Sequence, residues 1–460
     1  MARDVSDSMP VESRDELVAW FEEGCKSPDT FRLGTEHEKF PFYVNDLTPV
    51  PYETPLGRAG GIRALLDGVQ AATGWSPIHD GEALIGLYDE HGGGAISLEP
   101  GGQFELSGAP LDTLHETSAE LDEHLAIANR VSRALGIAFL SLGMSPLWSL
   151  GETPRMPKSR YKIMTGYMPK VGTRGLDMMY RTCTVQVNLD FANEADMVRK
   201  LRTSIALQPL TTALFANSPF TDGRPNGLLS ARSEIWRDTD NNRAGMLPFA
   251  FDDGMGFERY VDYALDVPMY FVKRGDTYHD VTGASFKDLL AGKLPHLPGE
   301  FATMSDWANH LSTIFPEVRL KRYLEMRGAD AGTPEHMVAL SALFVGLLYD
   351  TSALDGAYDL VKHWTDEDRQ ALRGAVPREG LAARVGGRSL REIGRDVLAL
   401  ARAGLQSRRR MNASGQDETQ FLNVLDARIA SGKVASHHWI ERYDTAWGHS
   451  VCPIFDEARI

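Results

Sequence analysis

Residues 31–40, FRLGTEHEKF, alternate in polarity. Leu33, Thr35 and His37 fall on one side of an extended chain, and Gly34, Glu36 and Glu38 on the other. The spacing predicts a strand with two carboxylates on one face, which repel unless positive charge lies between them. The device returns three times. ISLEPGGQFELSG sets Gln103 and Glu105 on one face with Phe104 and Leu106 behind, and Glu99 shares their parity if the glycines keep the register. TCTVQVNLDF sets Gln186, Asn188 and Asp190 against Val185, Val187 and Leu189. LKRYLEMRGAD sets Glu325 and Arg327 against Leu324 and Met326. The four strands are expected to pair into one antiparallel sheet, with helices on the apolar face and a carboxylate-lined floor on the other.

Between these strands the period lengthens. Ser13 and Glu16 have capping-box spacing ahead of Leu17, Phe21 and Cys25. Helices are predicted over 61–73, 111–135, 194–217, 284–292 and 304–313. Two short strands are predicted within 75–89, single strands over 137–142, 181–191 and 318–327, and a hairpin about Arg274-Gly275-Asp276. Residues 151–175 read as a loop in which Lys158, Arg160 and Lys162 form either a solvated basic cluster or an anion clamp over the floor. The segment RSEIWRDTDNNRAGMLPF reads as irregular. Beyond residue 333 the pattern is helical almost to the end, and the run 408–410 reads as an exposed helix terminus.

Composition narrows the class. In 460 residues, 43% hydrophobic and 24% charged, no Pro/Gly/Ser-rich linker interrupts the chain. One domain over 1–460 is expected, a sheet-bearing core at 13–330 with a helical part at 333–460. The net charge of -15 argues against nucleic acid or an anionic membrane as partner. Cys25, Cys183 and Cys452 form no CxxC pair, which suits a reducing cytoplasm and predicts neither a disulfide framework nor a zinc site. The opening segment MARDVSDSMPVESRDEL is acidic and lacks the apolar stretch of a signal peptide. The longest apolar run, 337–349, is too short to span a bilayer and reads as a buried helix.

Neighbouring strands lie about 4.8 Å apart, so glutamates on adjacent strands can converge. Carboxylates are hard oxygen ligands, and His37 faces away from them, so Mg²⁺ or Mn²⁺ fits better than zinc. Such a floor with Arg327 on the same face suits phosphoryl transfer from ATP, the arginine stabilising charge on the moving group. The bland alternative is a set of surface salt bridges on an exposed sheet.

At this point the sequence is identified as resembling a family. FRLGTEHEKF, GLDMMYRTCTVQVNLDF, ARSEIWRDTDNNRAGMLPF, YVDYALDVPMYFV and FPEVRLKRYLEMRGAD look like glutamate–cysteine ligase of the plant and proteobacterial type, and the similarity runs from about residue 13 to SVCPIFDEA near the end. The resemblance implies an α+β, glutamine synthetase-like fold whose curved antiparallel sheet forms an active-site funnel. It implies ATP- and Mg²⁺-dependent joining of the γ-carboxylate of L-glutamate to the amine of L-cysteine through γ-glutamyl phosphate. A monomer or weak homodimer is expected. By position, Glu36, Glu38, Glu105 and Glu325 match magnesium ligands, with Glu99 a further candidate. Arg327 matches the phosphate-contacting arginine and, with Glu325, the catalytic pair. Arg160 and Arg232 match arginines that hold glutamate, with Lys162 and Trp236 as further substrate contacts and Gln186 as either a metal ligand or a substrate contact. A substrate with two carboxylates calls independently for guanidinium forks.

Plant members carry two regulatory cysteine pairs. Here the matching positions are Ser118 with Val338 and Val281 with His296, so the switch is expected to be absent. With no transit peptide in view, a bacterial cytoplasmic protein is expected. Competing readings are a ligase with another amine acceptor, a kinase that releases an acyl phosphate, and a non-catalytic scaffold that would have lost the carboxylates.

Overall fold

The alternation seen in the sequence does build strands. In the computed structural model, which describes residues 9–460, β1 (Leu33–Tyr43) is the spine of a nine-stranded sheet. The other strands are β2 (Ser76–Asp80), β3 (Ala83–Tyr88), β4 (Ala95–Leu98), β5 (Phe104–Ser107), β6 (Ile137–Leu140), β7 (Thr184–Leu189), β8 (Val318–Leu320) and β9 (Leu324–Asp330). The order is β8-β9-β7-β1-β5-β4-β3-β2, with β6 paired to the far half of β1. Every pairing is antiparallel. The acidic opening segment falls in part, at 1–8, outside the described residues.

The apolar parity of each strand goes to the core. Val185, Val187 and Leu189 of β7 and Leu324 and Met326 of β9 are buried together with α6 (Glu194–Phe215) and the helix Pro334–Leu348. That helix is buried along almost its whole length, as the apolar run 337–349 predicts. Among the described residues no single helix is long and apolar enough to cross a membrane.

Four local expectations are corrected. First, the strand predicted over 318–327 is a hairpin of β8 and β9, because the chain turns at 321–323, where the Lys321 amide donates to the Tyr323 carbonyl at 2.8 Å. Second, residues 151–175 are not simply a loop: Ser159–Val171 forms α4, which buries Tyr161, Met164 and Met168 at helical spacing. Third, α5 (Gly175–Arg181) takes up the start of the strand predicted over 181–191. Fourth, the Ser13–Glu16 capping box does not form: α1 (Arg14–Glu22) has no side-chain cap, and Glu16 accepts from the Glu12 amide instead. The basic run 408–410 is only partly exposed, since the Arg408 guanidinium reaches the buried carboxylate of Glu418.

The register of β9 breaks between Met326 and Ala329, a bulge at Arg327-Gly328. It is built for glycine: a Cβ on Gly328 would lie 2.3 Å from Gln208 Oε1, which accepts the Gly328 amide at 2.9 Å.

Candidate active site

The polar floor follows from β-sheet register. Glu38 stands opposite Glu105, Glu36 lies between Ser107 and Gln186, and Glu325 lies between Asn188 and Arg319. Each carboxylate has partners that a single strand cannot reveal. Both Glu105 oxygens accept hydroxyls, from Ser97 at 2.9 Å and Ser107 at 2.7 Å. Glu36 accepts the Asn188 amide at 2.8 Å, and Glu38 accepts the Thr184 backbone N–H at 3.0 Å. Glu99, at the end of β4, accepts the Tyr161 hydroxyl at 3.0 Å.

Glu325 sits among three cations. Arg319 binds it through Nε at 2.7 Å and Nη2 at 3.0 Å, Lys321 at 3.1 Å and Arg327 at 2.7 Å. Burial alone would push its carboxyl up, but the three positive charges outweigh burial and hold it well below the ordinary range. Glu38 behaves in the opposite way. Burial, then repulsion from Glu99 and Glu105, push it well above the ordinary carboxylate range, against the pull of Arg232 and the Thr184 amide. Behind the floor, fully buried Lys39 faces the rings of Phe104 and Phe139 at 5.5 and 5.9 Å, and burial pushes its amine down to about 7.

Two clefts open over this floor. The first, with about 690 Å³ of open volume, is lined by Glu38, Glu99, Arg160, Arg232, Trp236 and Arg327, with Met164 and Phe315 among its apolar walls. Arg160 comes from the first turn of α4, and Arg232 from the short helix α7 (Ala231–Ile235). Arg232 is 3% exposed and donates to the Arg327 carbonyl at 2.9 Å. Trp236 is half-buried beside Arg232, and its indole N–H has no protein partner. The second cleft begins at Glu36, two residues along β1 from the Glu38 of the first. It is lined by Lys26, Arg32, Glu36, Asn188 and Tyr323 and by the glycines Gly93 and Gly94.

Most of the residues singled out in the sequence therefore meet on one sheet face, but not all. Lys162 is exposed on the outer side of α4 and lines neither cleft. Lys158 is buried and donates to the Leu98 carbonyl at 2.8 Å, which ties α4 to the end of β4. Gln186 accepts from the Arg327 guanidinium. Gln103 does not face the floor as a free side chain: its amide donates to the Met179 and Thr182 carbonyls at 3.1 and 2.9 Å and braces the cleft wall. Sequence reasoning missed Arg319 and Lys321, because a single strand over 318–327 hides the fold-back that aims both at Glu325. It also missed Tyr161, although its spacing with Met164 and Met168 carried the signal.

Among the described residues, no three His, Cys, Asp or Glu side chains converge closely enough to enclose a metal ion in this conformation. The donor chemistry nonetheless suits a hard cation. Glu38, Glu99 and Glu105 are carboxylates that repel one another, His37 is buried on the opposite face, and burial first, then Glu38, hold the proton on the nearby Cys183 thiol. Glu325 would first have to exchange one of its cationic partners. Cys25, Cys183 and Cys452 are all free, and Cys183 is fully buried in an apolar cluster.

Comparison with known proteins places the chain. The description "Glutamate-cysteine ligase family 2(GCS2)" matches residues 32–456. A chloroplastic glutamate–cysteine ligase of Arabidopsis thaliana is 54% identical over 445 residues, covering 97% of this chain and 82% of that protein. Chloroplastic ligase B of Oryza sativa subsp. japonica is 53% identical over 445 residues, covering 97% of this chain and 87% of that protein. A crystal structure of glutamate–cysteine ligase from Francisella tularensis in complex with AMP has the same fold, with a TM-score of 0.52, 12% identity, and coverage of 93% of this chain and 88% of that one. The fold expectation, an α+β chain on a mostly antiparallel sheet, is thus met. The expectation of a cytoplasmic location is overturned, because these close relatives carry chloroplastic names. A match over nearly all of its length, with relatives more than half identical, means that the chain belongs to glutamate-cysteine ligase family 2.

Proposed function

We propose that this protein is a glutamate–cysteine ligase that uses ATP to join the γ-carboxylate of L-glutamate to the amine of L-cysteine, in glutathione biosynthesis. The observation that carries the site reading is the first cleft, where Arg160, Arg232 and Arg327 surround a carboxylate floor. The relatives named as glutamate–cysteine ligases support the same substrates. One catalytic unit is part of the proposal, because a single buried apolar core draws on residues from Val11 through the sheet to Val434.

Glutamate lies in the first cleft. Arg232 and Arg160 take its carboxylates as guanidinium forks, a geometry lysine does not supply. The aromatic wall of Trp236 and Phe315 covers its methylene chain and excludes water. ATP lies in the second cleft. Its phosphates cross toward Glu105, with Lys26 and Arg32 supplying positive charge at the outer end. The γ-carboxylate oxygen attacks the γ-phosphorus and ADP leaves, giving an acyl phosphate. Arg327 stabilises the negative charge on the transferred phosphoryl group. The amine of cysteine then attacks the acyl carbon, forms the amide and releases phosphate.

A bound Mg²⁺, or Mn²⁺ in its place, would neutralise the polyphosphate. Glu36, Glu38, Glu99 and Glu105 are the residues that would hold it, with Glu325 joining them.

The test is ADP release from the purified protein with ATP, Mg²⁺ and L-glutamate, adding one amine at a time. A large rise with L-cysteine, with γ-glutamylcysteine identified by mass, is the expected result. A rise with a different amine alone would remove the cysteine assignment. Phosphate transfer without any amine dependence would indicate a kinase.

A further inference from the structure

The helix that carries Arg232 into the cleft, α7, is itself held by a buried carboxylate. Asp330 ends β9, is 1% exposed and lines neither cleft. Its Oδ2 accepts the Asn217 backbone N–H at 2.8 Å and the Ser218 hydroxyl at 2.6 Å. Its Oδ1 accepts the Ser230 hydroxyl at 2.9 Å. Both hydroxyls pass the constraint on to α7. Ser230 is the N-cap of that helix and accepts the Ser233 amide at 3.1 Å, while the Ser218 oxygen accepts the Arg232 amide at 3.2 Å.

The same strand grips α7 at a second point. At the Arg327-Gly328 bulge the Arg327 carbonyl is turned to accept the Arg232 guanidinium at 2.9 Å. Asp330 and Arg327 are therefore two fixed points on β9 between which the backbone and the side chain of Arg232 are both set. The carboxylate also supplies the charge that burial of Arg232 requires. Burial lowers the hold of Arg232 on its proton, and Asp330 is the foremost charge opposing that. The space behind Asp330 is closed. A Cβ on Gly143 would lie 2.3 Å from its Cγ, and its backbone carbonyl is held by His336 Nε2 at 2.8 Å.

We propose that Asp330 is a positioning residue for glutamate binding: through Ser218 and Ser230 it sets helix α7 so that Arg232 points into the first cleft. This rests on the reading of Arg232 as a glutamate-binding residue. Hydrogen bonds to a buried charged group are strong and directional, so their loss shifts the group they aim.

The experiment compares Asp330→Asn, Ser230→Ala, Arg232→Lys and the Arg232→Lys/Asp330→Asn double variant in the full chain. Asparagine keeps the shape and one acceptor oxygen but removes the charge. The expected result is a KM for glutamate raised roughly tenfold in Asp330→Asn, with the KM for ATP and kcat at saturating glutamate within about twofold of the parent. The double variant is expected to be no worse than Arg232→Lys alone, because one interaction is removed twice. If Asp330→Asn does not fold, Ser230→Ala carries the same test, with a smaller rise in the same KM. A raised KM in Arg232→Lys with an unchanged one in both Asp330→Asn and Ser230→Ala would overturn the proposal and leave the Arg232 reading standing. An unchanged KM in Arg232→Lys would overturn both. Equal losses for glutamate and ATP, tracking a lowered unfolding midpoint, would reduce Asp330 to a purely structural role and overturn the proposal.

Discussion

Glu120 offers a quantitative test of how burial sets charge in this protein. It lies on α3 (Leu114–Ala134), where its Oε1 accepts the Ala109 amide at 2.7 Å. Its other oxygen is packed on the backbone, since a Cβ on Gly108 would lie 2.4 Å away. Gly108 and Pro110 in turn line the second cleft. Burial, with some repulsion from Glu123, raises its carboxyl from 4.5 to about 7 against the Ala109 hydrogen bond. The folded protein thus keeps a proton that the unfolded chain releases at lower pH. Its contribution to stability is complete below about 4.5 and is lost as pH rises through about 7. At about 1.4 kcal/mol per pKa unit, the rise from 4.5 to about 7 caps the full loss at about 3.5 kcal/mol. Glu120→Gln keeps the acceptor for Ala109 and removes the charge. Urea unfolding from pH 4.5 to 8 is expected to show the variant more stable by up to about 3.5 kcal/mol at pH 8, with the gap closing at the acid end. A gap that does not change with pH, or a variant less stable at pH 8, would refute the reasoning.

Three further outcomes are expected. Glu36→Gln preserves the bond from Asn188 and is expected to cut kcat by about a hundredfold or more, with a far smaller effect on the unfolding curve, because the site loses a floor carboxylate while Arg319 and Lys321 keep Glu325 as their partner; near-normal turnover would take Glu36 out of the site. Arg319→Met leaves Glu325 with two cations in place of three and breaks a bidentate buried pair, so urea unfolding is expected to show a loss of about 3–5 kcal/mol. Gly86→Ala is expected to destabilise by about 1–3 kcal/mol in the same assay, since its Cβ would lie 2.4 Å from the Ile96 carbonyl on the neighbouring strand and backbone cannot step aside.

The sequence by itself determined which residues share a face. The parity of Glu36 with Glu38 on β1, of Gln186 with Asn188 on β7, and of Val185 with Val187 behind them needs only the two-residue period of a strand, and all appear as written. The long apolar run of the helix Pro334–Leu348 needs only burial. Those properties are local, so they are legible without the fold. Only the tertiary structure decided what each polar group meets. Nothing in LKRYLEMRGAD says that the chain folds back at 321–323 and turns Arg319 and Lys321 onto Glu325, because a turn without glycine or proline leaves no strong mark. Nothing in residues 151–175 says that α4 will aim Arg160 into the first cleft and Lys162 out to solvent, because two helical steps of about 100° each set the pair on nearly opposite sides of a helix that a loop reading does not contain. The second cleft, whose lining runs from Lys26 to Tyr323, is likewise assembled from segments nearly 300 residues apart in sequence. Charges have long reach and no periodicity, so partners such as Asp330 and Arg232 are set by which segments pack together, and packing is a property of the whole chain.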